Sequence, residues 1–470
     1  MSTEMSMERM NLNSKNTNTS DNHNSHTDSD SQSNSDFEAS VGMSRKWNAR
    51  DAGREVAENT LKKLKHKPSF FLLFSTIHYE KHGGFQEFLN GVWDVLPKGT
   101  PLIGGTVAGF MTPEGCFTRG ASAIAIYYPN MDIKIGLGKN TKRNPKSAVK
   151  NFLKKIYEDN EKYQNSILID FVSGTKLPSF PIIGQRRVIN DTFFPKSLLS
   201  PLMIFSTKYL QKGMGRENEL LDEMIKYNPD SLIIGGSCND DNSIENNFQF
   251  FKNNLLLNDI VGMRLNTDLE IKTGTADGLC PTDITFELSD KNGFGCIMKR
   301  LDGLPAKQIF LEKMRWPEDY LNEKTIFRKS YQYPICYFKY NSLQIRTFGL
   351  FFKDFVGVAN DIEEQKLTIY QASGRNMIES YIGLTKKLKS LIHPRFVFGI
   401  QCGIILEALG NNIYILKDKI NKILGEVPYL IVFTAGEHIY IPNKTRRHVN
   451  LSFNLAFFGE KNEEILSKNE

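Results

Sequence analysis

The chain has 470 residues, is 40% apolar, and carries 59 basic against 53 acidic residues, a net charge of +6. That length allows two or three ordinary domains or one large split domain. The basic clusters at 62–65, 139–146 and 386–389 are too scattered for a nucleic-acid groove and read as solvated surface. No apolar run approaches the roughly 20 residues a bilayer requires, and no basic-then-apolar secretory signal opens the sequence. A cytoplasmic protein without membrane insertion is therefore expected.

Residues 1–45 are rich in Ser, Asn, Thr and Asp. They hold three basic and seven acidic residues, −4, which leaves +10 on the rest. Such a segment buries too little surface to offset chain entropy, so a disordered polar tail is expected. Order begins near Trp47, where Val56, Leu61 and Leu64 recur at helical spacing. Pro68 stops that helix, and Phe70–Ser75 is a continuous apolar run, the pattern of a strand buried on both faces. A loop at 78–84 and a second amphipathic helix through Phe88, Leu89, Val92 and Trp93 lead to Gly104-Gly105.

The rhythm repeats. Helices predicted at 146–158, 217–227, 377–392 and 415–424 precede strands at 167–172, 231–234, 396–400 and 429–433. The stretches 245–300 and 330–372 alternate polar and apolar residues, as antiparallel hairpins do. The stretch 174–215 shows no period and reads as a long loop or insertion. The fold class is thus α/β: mixed sheets in which helices alternate with short buried strands, plus substantial antiparallel hairpins.

Three segments share one grammar, a helix, a short apolar strand, then Gly and small polar residues. They are Gly104-Gly105-Thr106, Gly235-Gly236-Ser237 running on to Asp240, and Thr434-Ala435-Gly436-Glu437. A partial fourth is Gln401-Cys402-Gly403. Loops at strand ends are where α/β proteins bind ligands, and glycine lets backbone N–H groups approach them. Tight turns are the simpler alternative, and no phosphate-loop or dinucleotide fingerprint is present.

Together these segments resemble the FIST family of sensory domains in signalling proteins. The likeness runs from 71–79 through 102–111, Gly115 and 121–127, then 233–241, 274–282 and Asp302-Gly303-Leu304-Pro305-Ala306, which is similar to a family "dG.pA" signature. It resumes at 396–403 and 429–437. There the family shows "C.gR", a helix, "GE" and "hN.T", the last best matched by 448–452 and alternatively by 442–445. Two departures stand out. Ile405 occupies the place of a family Arg, and Phe110-Met111 that of a Glu.

The resemblance implies a FIST N-terminal domain at 46–308, a C-terminal domain at 309–460 and a polar tail at 461–470. The helix predicted at 305–314 joins the two domains across a shared interface. It also implies a small-molecule ligand, possibly an amino acid, and a separate signalling partner. The binding residues expected are Cys402, Gly403, Gly436, Glu437 and Asn450, with Gly104, Gly105, Thr106, Gly235, Gly236 and Asp240. Glu437 is expected as an accessible loop carboxylate, Cys402 as a small wall residue and Asn450 as a two-way hydrogen-bonding partner. No cofactor and no catalysis are expected.

Two rivals stand beside this reading. One is an interaction scaffold with no ligand. The other is a hydrolase using Cys402 or Cys238 as nucleophile, with His78, His438 or His448 as base and Glu437 as orienting carboxylate. The six cysteines form no Cys-x-x-Cys pair, and His78 and His82 lack a third ligand, so neither a disulfide framework nor a metal site is indicated.

Overall fold

A computed structural model describes residues 36–157, 163–176, 186–190, 195–213, 216–241 and 243–462. The fold is mixed α/β, with three six-stranded sheets and one nine-stranded sheet. The six-stranded sheets share one plan. In each, a parallel pair lies at the centre, an antiparallel pair completes one side, and a short hairpin completes the other.

In the first sheet Phe70–Ser75 runs parallel to Leu102–Thr106, with helix Phe85–Trp93 between them in sequence. Strands Ala121–Tyr127 and Glu38–Ser44 flank one side. In the second, Asn165–Val172 runs parallel to Leu232–Ser237, and Ile260–Thr267 and Met131–Gly138 flank it. In the third, Ile392–Cys402 runs parallel to Tyr429–Thr434, and Phe453–Lys461 and Glu270–Ala276 flank it. Both strands of each central pair are almost wholly buried, as their unbroken apolar character predicts.

The chain therefore contains three tandem repeats of strand, helix, strand, helix, strand, hairpin, strand. The first helices are Ala49–Leu61, Pro145–Lys154 and Gly374–Leu391. Each repeat gives its hairpin away. The first repeat's hairpin, Gly109–Thr112 and Gly115–Phe117, joins the third sheet on Tyr429–Thr434. The second repeat's hairpin, Gln249–Phe251 and Asn254–Leu256, joins the first sheet on Leu102–Thr106. The third repeat's hairpin, Glu437–Ile441 and Thr445–Val449, joins the second sheet on Leu232–Ser237. The exchange is cyclic and closes on itself, so no repeat completes its own sheet.

The nine-stranded sheet is an insertion in the third repeat. It is built from strands between Leu279–Asn292 and Lys366–Ala372, with Val188–Ile189 added at one edge. Helices Ala306–Met314 and Ile326–Gln332 belong to the same insertion. It has its own apolar core around Phe310, Phe348, Phe351 and Ile369.

Three expectations need correction. The polar tail does not extend to residue 45, because Glu38–Ser44 is the first strand of the first repeat and pairs with Ala121–Tyr127 over seven registered positions. It lacks a strong apolar signal because it is an edge strand with one neighbour. Residues 1–35 and 463–470 lie outside the described residues. The division at 308/309 falls inside the insertion, and strands from both sides of it share two of the three six-stranded sheets. Phe37–Glu470 accordingly forms one compact unit. Finally, the stretch 174–215 is not all loop, since Lys196–Phe205 is helical and continues as a π-helical turn, Ser206–Leu210.

Removing residues 1–45 should consequently lower the melting temperature by roughly 5 °C or more, since a strand and its packing go with it. Differential scanning calorimetry of the truncated protein checks this; an unchanged transition would remove Glu38–Ser44 from the folded core.

Candidate functional site

The three glycine-containing segments meet. Where the central parallel strands end, each repeat hands one backbone hydrogen bond to another. Asn239 N–H donates to Thr106 O at 2.8 Å, Ala435 N–H to Ser237 O at 2.8 Å, and Ala108 N–H to Phe433 O at 2.8 Å. These three bonds close a ring.

The ring explains the glycines without a ligand. A Cβ on Gly104 would lie 1.7 Å from the Leu73 carbonyl oxygen of the neighbouring strand, and one on Gly105 2.5 Å from Cys238 Sγ. On Gly235 it would strike His438 Nε2 at 2.0 Å, on Gly236 Thr434 at 2.9 Å, and on Gly403 Asn239 Nδ2 at 2.7 Å. Gly436 is tight against His448 Nε2 at 3.0 Å. Thr106 is engaged too, its Oγ1 accepting from Phe248 N–H at 3.0 Å.

Glu437 and Cys402 sit together but not on a surface. Both are fully buried. The Glu437 carboxyl accepts from Thr434 Oγ1 at 3.0 Å and from Ser452 Oγ at 3.2 Å and N–H at 3.4 Å. Burial pushes its pKa up to about 8 despite these donors. The expectation of an accessible loop carboxylate is thus corrected, because Glu437 opens a hairpin strand inside the seam between the second and third repeats.

Burial likewise drives the Cys402 thiol well above its ordinary range and the Cys238 thiol to about 12. Neither supplies thiolate at neutral pH. His438 Nε2 is 2.9 Å from Asp170 Oδ2, and His448 Nδ1 is 3.4 Å from His438 Nδ1, all in the same seam. Burial also holds His448 well below its usual pKa. Among the described residues no group of three or more His, Cys, Asp or Glu could hold a metal.

Beside this ring lies a cavity of about 110 Å³. Three parts of the fold wall it. The exits of the second repeat supply Thr175, Lys176, Cys238, Asn239, Asp240, Ile244 and Asn247. The third repeat supplies Ile404, Ala435 and Asn450. The insertion supplies Phe327, Ser330, Thr347, Phe348, Gly349, Leu350 and Ala359, and Arg186, Arg187 and Met203 complete the lining. Of the residues singled out in the sequence, Asp240 and Asn450 line this cavity, as does Cys238, the alternative nucleophile. Cys402, Gly403, Gly436, Glu437, Gly235 and Gly236 lie behind the wall, and Gly104, Gly105 and Thr106 belong to the first repeat and do not reach it.

Asn450 is a bridge. Its Oδ1 accepts from Thr347 Oγ1 at 3.1 Å and its Nδ2 donates to Ala435 O at 3.1 Å, tying insertion to ring. Asp240 closes the loop that follows it, accepting N–H bonds from Ile244 and Asn246, each at 2.7 Å, and from Glu245. Burial raises its pKa above the ordinary carboxylate value even so.

Lys176 was missed in the sequence. It follows strand Asn165–Val172 in the aperiodic stretch. Its side chain is 5% exposed, faces the cavity, and has no hydrogen-bond or ion-pair partner among the described residues. Burial lowers its pKa, while the field of Asp240 opposes that shift. The one available signal was position: Ser173-Gly174-Thr175-Lys176 leaves a buried parallel strand, where ligand-facing residues gather.

Two measurements test the close packing at and beside the ring. Gly104→Ala should cost roughly 3 kcal/mol or more, since the clash is with backbone. Gly383→Ala, on an exposed and unobstructed helical position, should instead stabilise by up to about 1 kcal/mol. Equal effects in urea titrations would refute the close-approach account. For Glu437, the folded pKa of about 8 exceeds the unfolded value. Its contribution to stability is full below the unfolded pKa and is lost as pH rises towards about 8. Glu437→Gln should therefore gain on the wild type by up to about 1.4 kcal/mol per pH unit across that window. A pH-independent difference would contradict a buried, neutral carboxyl.

Residues 69–290 match the FIST N domain family model. Among solved structures, the chain has a likeness to a cyanuric acid hydrolase from A. caulinodans, at 6% identity over 50% of this chain and 72% of that one, with a TM-score of 0.24. It also has one to PurLQS from Thermotoga maritima, at 10% identity over 91% and 73%, with a TM-score of 0.19. Likenesses at these scores carry no argument about fold or chemistry. No curated protein matches the sequence. Residues 69–290 of the chain are thus a FIST N domain, of a family of sensory domains.

Proposed function

We propose that this protein is a cytoplasmic sensor that binds a small, amino-acid-sized molecule in the cavity beside the ring and passes its occupancy to a separate signalling protein. The single observation that carries the reading is the buried Lys176 lining that cavity, whose side chain has no hydrogen-bond or ion-pair partner among the described residues. A fold does not leave a cation there without cost, and a ligand that neutralises it removes the cost. Asn450 and Asp240 form the wall rather than the recognition head. The FIST C-terminal assignment of the part beyond 308 belongs to this proposal as well.

Size supports a small occupant. An apolar cavity of ~150 Å³ accommodates benzene, so about 110 Å³ suits a single small metabolite. The hydrolase rival is disfavoured by the two cysteines, whose buried thiols stay protonated at neutral pH. The scaffold rival has one observation in its favour: Leu198, Phe205, Tyr209 and Leu210 are exposed along the helical segment before Gln211. The same segment contributes Met203 to the cavity wall, which suits it to report occupancy.

Gly349 lines the cavity, and a Cβ there meets nothing within 4 Å. Gly349→Phe should fill the cavity with little change in melting temperature. In a thermal-shift screen of small acids, amides and alcohols, at least one compound should stabilise the wild type, and the Phe variant should lose that stabilisation. Hits that stabilise both proteins equally, or a screen in which none acts on the wild type, would sink the sensor reading.

A further inference from the structure

We infer that the cavity is built for a small monocarboxylate with an apolar tail, its head group paired with Lys176, and that it does not read an amino group. This rests on the ligand-binding reading above and names the class of ligand.

The charge distribution is one-sided. Lys176 lies inside, nine-tenths buried and without a partner among the described residues, and Arg186 lines the cavity nearer solvent. Arg187 also lines it, but Glu323 and Glu407 act on that guanidinium. The other titratable groups acting on Lys176 are Asp240, Lys212, Cys238 and Glu80. Of these Asp240 and Cys238 line the cavity, and burial keeps the Cys238 thiol in its uncharged form. Its carboxylate already accepts three backbone N–H groups from 244–246 and is committed to closing that loop. A ligand carboxylate thus meets an ammonium with unused donors. A ligand ammonium meets cations and an acid with three of its roughly four acceptor sites already used.

The remainder of the wall is mixed, with Thr175, Asn239, Asn247, Ser330, Thr347 and Asn450 as its uncharged polar residues. Phe327, Phe348, Leu350 and Ile404 supply apolar surface to the same cavity, which is about 110 Å³. That is smaller than the ~150 Å³ that holds benzene, so a branched aliphatic tail fits and a long chain does not. The pairing of a desolvated cation with an anion is also the strongest single polar contact this lining offers.

Five probes with one carbon skeleton decide the matter by titration calorimetry on the full chain: 4-methylpentanoate, 4-methyl-2-oxopentanoate, leucine, leucinamide and the neutral 4-methylpentanamide. The two acids without an amine should bind at least tenfold tighter than the amide, and leucine no tighter than 4-methylpentanoate. Leucinamide should bind weakest. Lys176→Met should weaken the acids at least tenfold and leave the amide unchanged. Leucine or leucinamide binding tighter than the acids overturns the inference. So do acids that bind no better than the amide, a comparison made on the wild type alone and independent of how the variant folds. If none of the five binds while other compounds bind in a manner that Gly349→Phe abolishes, this inference fails and the sensor reading stands. If nothing binds in that manner, the sensor reading itself fails.

Discussion

Three backbone hydrogen bonds govern this molecule, from Asn239 to Thr106, from Ala435 to Ser237 and from Ala108 to Phe433. They can form only if three parallel strands end within backbone distance of one another, and that proximity excludes side chains. Gly105, Gly235 and Gly236 follow from it, each with a Cβ position already occupied by a thiol, an imidazole or a hydroxyl side chain of another repeat, whereas Gly104 is required by the Leu73 carbonyl of its own sheet. The hairpin exchange follows as well. A chain leaving a strand end at the ring is delivered against the central strand of the preceding repeat in cyclic order, and pairs there. The repeats are therefore mutually dependent, and a break in any one sheet opens two.

The seams between repeats hold the buried ionisable groups. Asp170, His438, His448 and Glu437 occupy the seam between the second and third repeats, and Lys142 and Glu217 lie near its outer edge. Lys142 donates to Ser173 and Gly174, and burial brings it down to about 7. Burial alone would make a cluster of full charges very expensive. The fold reduces that cost by shifting Glu437 and His448 towards their neutral forms and by giving Lys142 carbonyl partners. Lys176 differs from these in having no such side-chain partner among the described residues.

Much of this was legible in the sequence, for physical reasons. Central parallel strands are buried on both faces, so 70–75, 167–172 and 429–433 announce themselves as apolar runs. The glycines cluster because close backbone approach tolerates little else. What the sequence concealed was the relation between those segments. The third repeat is interrupted by the inserted sheet, so its period is broken, and the exchanged hairpins have strands of only three to five residues. Glu38–Ser44 was hidden because an edge strand needs little apolar character. Glu437 looked like a loop carboxylate because nothing local marks a residue whose burial comes from another repeat. Lys176 was hidden for the same reason: its partners in the wall, Phe348 and Ile404, are far away in the chain.

Symmetry of connection explains the scaffold, and the departure from it explains the cavity. Three equivalent strand ends would give three equivalent surroundings, yet only the second and third repeats face this cavity, because the inserted sheet packs against their side of the ring. The insertion is bonded to the third repeat's hairpin, Ser342 and Gln344 donating to Arg446 O, and Arg346 to His448 O at 3.0 Å. That hairpin is itself a strand of the second sheet. Asn450 then links Thr347 to Ala435, one of the three residues that close the ring. An occupant touching Lys176 on one side and Phe348 on the other bears on both ends of this connected set. Its binding energy can therefore act on the packing of insertion against ring, which is the differential contact that any transmitted conformational change requires.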